Sequence, residues 1–84
     1  MTLHIKILGG GCANCERLEK HAKAAVAQLG VEATVEKSGD YAEYERYGLL
    51  ATPGLVINDR LVSGGKVPAV SQVVALLTTA LANE

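Results

Sequence analysis

The sequence predicts an α/β fold of order β-α-β-α-β-β-α, with a four-stranded mixed sheet between helices. Three observations carry that prediction. Leu3 to Leu8 alternates, with Leu3, Ile5 and Ile7 on one face and His4 and Lys6 on the other, the period of a strand. Leu18, Ala22, Ala25, Val26 and Leu29 recur at three- and four-residue spacing, the period of a helix. Leu55-Val56-Ile57 and Leu61-Val62 flank the turn signal Asn58-Asp59, which reads as a hairpin.

The elements follow in order. Gly9-Gly10-Gly11 breaks the first strand ahead of Cys12-Ala13-Asn14-Cys15. The first helix pairs Glu16 with Lys20 and Glu19 with Lys23, both i,i+4 in the favourable order. Gly30 stands where a C′ glycine ends a helix, with apolar Val31 after it. Ala33 to Glu36 reads as a short strand. Asp40 with Glu43 resembles a capping box, starting a short helix through Tyr47 that Gly48 stops. Gly64-Gly65 ends the hairpin, and Val67-Pro68 opens the last helix with Pro68 in its first turn. Val70, Val73, Val74, Leu77 and Leu81 make that helix's inner face. The opening β-α-β implies a parallel strand pair, and the hairpin adds two antiparallel strands. The helices at the two ends of the chain are expected to cover the two faces of the sheet.

Composition narrows the function classes. The 84 residues are one domain's worth of chain, so 1–84 is read as a single domain. A hydrophobic fraction of 49% with 20% charged residues suits a folded globule and argues against disorder. Eight basic and nine acidic residues give a net charge of -1, and the three aromatics are all Tyr. That surface offers nucleic acid neither a basic patch nor stacking platforms. No apolar run approaches the ~18 residues a membrane span needs. His4 and Lys6 interrupt the first apolar positions, so a secretory leader is not expected. Two cysteines cannot build a secreted multi-disulfide framework. The expectation is a cytoplasmic monomer without a cofactor, in a compartment that keeps thiols reduced.

The cysteine pair carries the sharp chemical signal. Cys12 lies between a glycine break and the first helical turn, where free backbone N–H groups and the helix dipole favour an anion. A thiolate is such an anion, so Cys12 is expected to be acidified and nucleophilic. Cys15 is one turn deeper. Residues i and i+3 of a helix hold their Cβ atoms ~5–6 Å apart, and a disulfide needs about 3.8 Å. With Cys12 at the cap, the first turn closes that gap. The expected chemistry is attack by Cys12 on a disulfide, followed by resolution by Cys15. Two thiolates are an incomplete zinc site, and His4 and His21 lack the spacing to complete one. A two-thiolate Cu(I) site is chemically sensible.

Over residues 3–82 the chain resembles the small thioredoxin-like and glutaredoxin-like redox proteins. The matching features are the strand ending in Gly10-Gly11-Cys12-Ala13-Asn14-Cys15, Thr52-Pro53 about forty residues later, the Leu55–Ile57 strand with Asn58-Asp59, and Gly64-Gly65 before the last helix. The resemblance implies a thioredoxin-like fold and thiol–disulfide oxidoreductase activity, with a role in electron transport. It implies Cys12 and Cys15 as catalytic residues. It implies a cis Pro53, Thr52 as the residue whose backbone pairs with substrate, and Gly11, Gly64 and Gly65 in substrate binding. The implied partners are a protein disulfide and a reductase, either of the thioredoxin-reductase type or the glutathione system. The intervening Ala13-Asn14 matches neither W-C-G-P-C nor C-P-Y-C. Gly64-Gly65 matches the glutaredoxin loop that receives a glutathione carboxylate, with Lys66 as a helper.

Residues 11–36 also resemble a heavy-metal-associated domain, in which C-x-x-C opens the first helix and a Gly-Val pair precedes the second strand. That alternative implies a Cu(I)-type carrier, in which the second strand leads directly to a third. Another alternative is a non-catalytic redox sensor. Gly9-Gly10-Gly11 lacks the Gly-Lys-Ser/Thr of a P-loop. Tyr41, Tyr44 and Tyr47 are expected to pack in core and surface rather than form a substrate platform. His4 and His21 are expected to face solvent, and Asp59-Arg60 is read as a solvated turn.

Overall fold

The computed structural model describes residues 2–82. β1 spans Leu3–Leu8, α1 Ala13–Leu29, β2 Ala33–Ser38, α2 Tyr41–Tyr47, β3 Gly54–Ile57, β4 Arg60–Gly64 and α3 Val70–Ala82. The sheet order is β2-β1-β3-β4. β1 runs parallel to β2 and antiparallel to β3, and β3 runs antiparallel to β4. The hairpin closes across Ile57 and Arg60 through Asn58 and Asp59, at φ 50 and 65. Two left-handed residues in a two-residue loop match the twist of the flanking strands. Asn58 also binds β1: its N–H donates to the His4 carbonyl at 2.8 Å, and its Oδ1 accepts from the His4 N–H at 3.0 Å.

Alternation in β1 and β3 decides the layers. Leu3, Ile5, Ile7, Leu55 and Ile57 make one buried face, and α1 lays Leu18, Ala22 and Ala25 on it. α3 brings Val73 and Leu77 to the same face. Both end helices therefore share one side, which corrects the expectation that they cover opposite faces. The seven-residue α2 takes the other side, with Tyr44 over Leu8 and Val56. Unequal burial explains the arrangement. Five large aliphatic side chains on one face need two helices to exclude water, while His4 and Lys6 occupy much of the other.

Helix ends are set by short-range chemistry. Gly30 ends α1 at φ 64, its N–H donating to the Val26 and Ala27 carbonyls, and Gly48 ends α2 at φ 73. Asp40 caps α2 by accepting from Ala42 N–H at 2.9 Å. The reciprocal half of the expected capping box does not form, because the Glu43 carboxylate turns to Lys6 Nζ at 3.1 Å. On α1, Glu19 pairs with Lys23 at 3.7 Å and also with Lys37 at 3.6 Å. Glu16 and Lys20 form no ion pair among the described residues.

α3 begins at Val70, later than the expected Pro68. Ala69 is the capping residue, and Gln72 Oε1 reaches back to accept from its N–H at 2.9 Å. Pro68 lies buried before the helix, its carbonyl accepting from His21 Nδ1 at 2.8 Å. His21 is thus a half-buried tie between α1 and the entry to α3, a correction to its expected solvent-facing role. His4 is exposed, with Nδ1 3.2 Å from Thr34 Oγ1. Among the described residues, no helix is long and apolar enough to cross a membrane.

The Lys6–Glu43 pair gives a pH prediction. The hydrogen bond from Lys6 to Glu43, helped by electrostatic attraction to Tyr47, Glu43 and Glu36, outweighs burial and raises the Lys6 pKa above its ordinary 10.5. A raised folded pKa contributes stability that is fully present below the ordinary lysine value and is lost as pH climbs through the folded value. Lys6→Met is expected to cost about 0.5–1 kcal/mol at neutral pH, since the ammonium is only partly sheltered. The gap between the two proteins should narrow as pH rises past the ordinary lysine value. Urea unfolding of both proteins from pH 7 to 11.5 checks this. A gap that widens with rising pH would contradict it.

Candidate active site

Cys12 and Cys15 are joined by a disulfide, with Cα atoms 5.1 Å apart. Cys12 is the N-cap of α1, with extended backbone at φ -77 and ψ 161. Its Sγ accepts the Cys15 backbone N–H at 3.1 Å, so the sulfur occupies the place of a capping oxygen. The two sulfurs differ in access: Cys12 is exposed, whereas Cys15 is wholly buried. A nucleophile needs access, and the partner that closes the bond behind it does not.

Two glycines of the break have distinct roles. Gly9 N–H donates to Ser38 carbonyl at 2.8 Å and prolongs the β1–β2 ladder. A Cβ at Gly9 would collide with Cys15 Sγ, sit 3.2 Å from Cys15 Cβ and lie 3.9 Å from Pro53 Cα. Absence of a side chain there is what seats Cys15 against the sheet. Gly11, just before Cys12, lies at φ 82, a conformation that costs other residues roughly 1–2 kcal/mol. It turns the chain from strand into cap.

The Thr52–Pro53 peptide is cis. Pro53 is buried beside Gly9 and Cys15, and Thr52 is exposed next to it. Gly64 pairs with Gly54 in the hairpin, and Gly65 N–H donates to the Pro53 carbonyl at 2.9 Å. Gly65, at φ 75, leaves room for Ala51, whose Cβ would lie 3.3 Å from an added Cβ. These two glycines therefore support the Pro53 segment from behind. Lys66 lines a separate cavity of ≈ 390 Å³ with Val67 and Pro68.

An open groove of ≈ 730 Å³ runs beside Cys12. Gly10, Cys12 and Thr52 form one bank, and Tyr41, Tyr44 and Glu45 of α2 contribute the other. Leu50 lies on the groove and is completely exposed, and Tyr41 is 80% exposed. Tyr44 and Tyr47 pack under α2, as expected, but Tyr41 is largely exposed, standing edge-on to Tyr44 at 5.2 Å and lining the groove with it. Sequence reasoning missed this groove and the seat at Gly9. Leu49-Leu50, an apolar pair outside any periodic segment and just before Thr52-Pro53, was the available signal.

α2 separates β2 from β3, and β3 pairs with β1 rather than with β2. That connectivity departs from the direct second-to-third-strand hairpin of the metal-carrier alternative. The comparisons with known proteins agree with the redox reading. A family model described as "Thioredoxin domain" matches residues 3–78. A thioredoxin of Methanothermobacter thermautotrophicus is 38% identical over 76 residues, covering 90% of this chain and 99% of that protein. A thioredoxin of Methanocaldococcus jannaschii is 35% identical over 69 residues, covering 82% of this chain and 79% of that protein. The matched segment includes the capping cysteine, its buried partner and the cis proline, and on this basis the chain belongs to the thioredoxin family of thiol–disulfide oxidoreductases.

Proposed function

We propose that the protein reduces protein disulfides, with Cys12 attacking and Cys15 resolving. The observation that carries the assignment is the asymmetry of the pair: an exposed sulfur at the opening amides of α1 and a buried sulfur one turn behind it. In the reduced protein those amides favour the Cys12 thiolate. Cys12 Sγ attacks one sulfur of the substrate disulfide, and a mixed disulfide forms. The other substrate sulfur leaves as a thiolate and takes a proton. Cys15 then loses its proton and attacks Cys12 Sγ, releasing the second substrate thiol. Two electrons and two protons have moved to the substrate, and the protein holds its disulfide. The described residues bury no charged side chain behind Cys15, so its proton passes to water or to a departing sulfur.

Thr52 lines the groove with Cys12, next to the cis Pro53, and Gly11 precedes Cys12 at positive φ; we read these as substrate-positioning residues. Gly64 and Gly65 act by holding Pro53. The partners fitting this reading are a polypeptide disulfide and a reductase of the thioredoxin-reductase type. Glutathione fits less well, because Lys66 opens on another cavity. We read residues 1–84 as one domain, working as a cytoplasmic monomer in electron transport to protein disulfides.

Insulin reduction with dithiothreitol tests the activity, and NADPH-coupled assays with thioredoxin reductase or with glutathione plus glutathione reductase test the electron source. Accelerated insulin precipitation and turnover in the first coupled assay are expected. Absence of insulin reduction by fully reduced protein would overturn the reading.

A further inference from the structure

The groove beside Cys12 has a single sign of charge. Of its lining residues only Glu45 is charged, and Glu45 joins no ion pair among the described residues. Cations near α2 are engaged elsewhere: Lys6 binds Glu43, while Arg46 approaches Glu43 at 4.0 Å and stacks 5.2 Å from the centre of Tyr47. Lys66 faces a different cavity. Fully exposed Leu50 and largely exposed Tyr41 provide apolar surface in the same groove. An unpaired carboxylate beside two exposed apolar side chains is complementary to a polypeptide carrying a cation next to an apolar residue, and it repels carboxylates.

We propose that Glu45 is a specificity-determining residue, selecting polypeptide disulfides flanked by a cationic side chain and rejecting those flanked by carboxylates, with Tyr41 and Leu50 contacting an apolar neighbour. The inference rests on the oxidoreductase reading and adds a substrate preference to it. The chemistry is unchanged. Protein dithiol and peptide disulfide become protein disulfide and peptide dithiol, with two electrons and two protons transferred. Glu45 biases only which disulfide reaches Cys12. Charge in an open groove acts through solvent, so the bias is modest and salt-sensitive.

The test uses the reduced full chain and three synthetic peptides of equal length. Each carries one cystine, a Leu beside it, and Lys, Gln or Glu at the next position. Peptide thiol release gives the second-order rate constants, and neutral hydroxyethyl disulfide serves as the control substrate. For the wild type the order Lys over Gln over Glu is expected, with about fivefold between the extremes at low salt, the size expected of one partly screened pair. That spread should shrink at 0.5 M salt. Glu45→Gln should bring it below about twofold, and Glu45→Lys should reverse the order, as charge inversion at an exposed pair would. Rate ratios within one variant are insensitive to changes in its folded fraction or thiolate content. A flat wild-type ranking, or an unchanged ranking in Glu45→Gln, overturns the inference. If the wild type fails even on hydroxyethyl disulfide, the oxidoreductase reading itself falls.

Discussion

Replacement of Cys12 by Ser should lower disulfide reduction by more than about a thousandfold, as losses of a catalytic nucleophile do. A serine hydroxyl stays protonated at neutral pH even where helix amides favour an anion, so no first step takes place. Cys15→Ser should behave differently. Its Cys12 still attacks, but nothing resolves the adduct, and a mixed disulfide accumulates that dithiothreitol releases. Mass spectrometry after incubation with a protein disulfide reads both outcomes. Cys12 is exposed, so its replacement leaves the core untouched. Cys15 is wholly buried, and a hydroxyl there lacking a partner costs about 1–3 kcal/mol. Cys15→Ala avoids that cost and should trap equally well. Accumulation of the adduct on Cys12→Ser instead would reverse the two roles.

Gly9→Ala should be among the most damaging single changes outside the cysteines. The added methyl falls on Cys15 Sγ and within 3.2 Å of Cys15 Cβ, in a buried site whose other wall is the Pro53 backbone. Either α1 or the Pro53 segment must move, and overpacking of this kind costs typically ~1–3 kcal/mol. In a chain of this size that lowers Tm by roughly 4–8 °C per kcal/mol. The cause can be isolated in reduced protein with a double-mutant cycle. Cys15→Ala removes the sulfur, so Gly9→Ala should cost at least about 1 kcal/mol less in that background. Equal costs in both backgrounds would show that the collision is not the source. A residue three positions before the nucleophile is thus expected to govern where the resolving sulfur sits.

Much of this was legible from local signals. The alternation of Leu3, Ile5 and Ile7 required a one-sided strand, and the Leu18–Leu29 stripe required a helix. Gly30 and Gly48 marked helix ends because both ends are left-handed. Cys12 at a glycine break announced a capping sulfur with its partner one turn on. Errors arose where a side chain or a backbone carbonyl met a partner from a distant segment. Glu43 reached Lys6 on β1 instead of closing its capping box, and the Pro68 carbonyl took His21 instead of starting α3.

The amino-acid order alone determined the identity of the elements, the reactive pair and the hairpin turn, because each depends on residues within one or two turns of the chain. The three-dimensional fold alone decided that α1 and α3 share a sheet face, that Gly9 makes room for Cys15, and that Glu45, Tyr41 and Leu50 line one groove with Cys12. Those relations join segments far apart in the chain. Their outcome depends on how buried area is shared between faces and on which atoms compete for one space, and periodicity records neither.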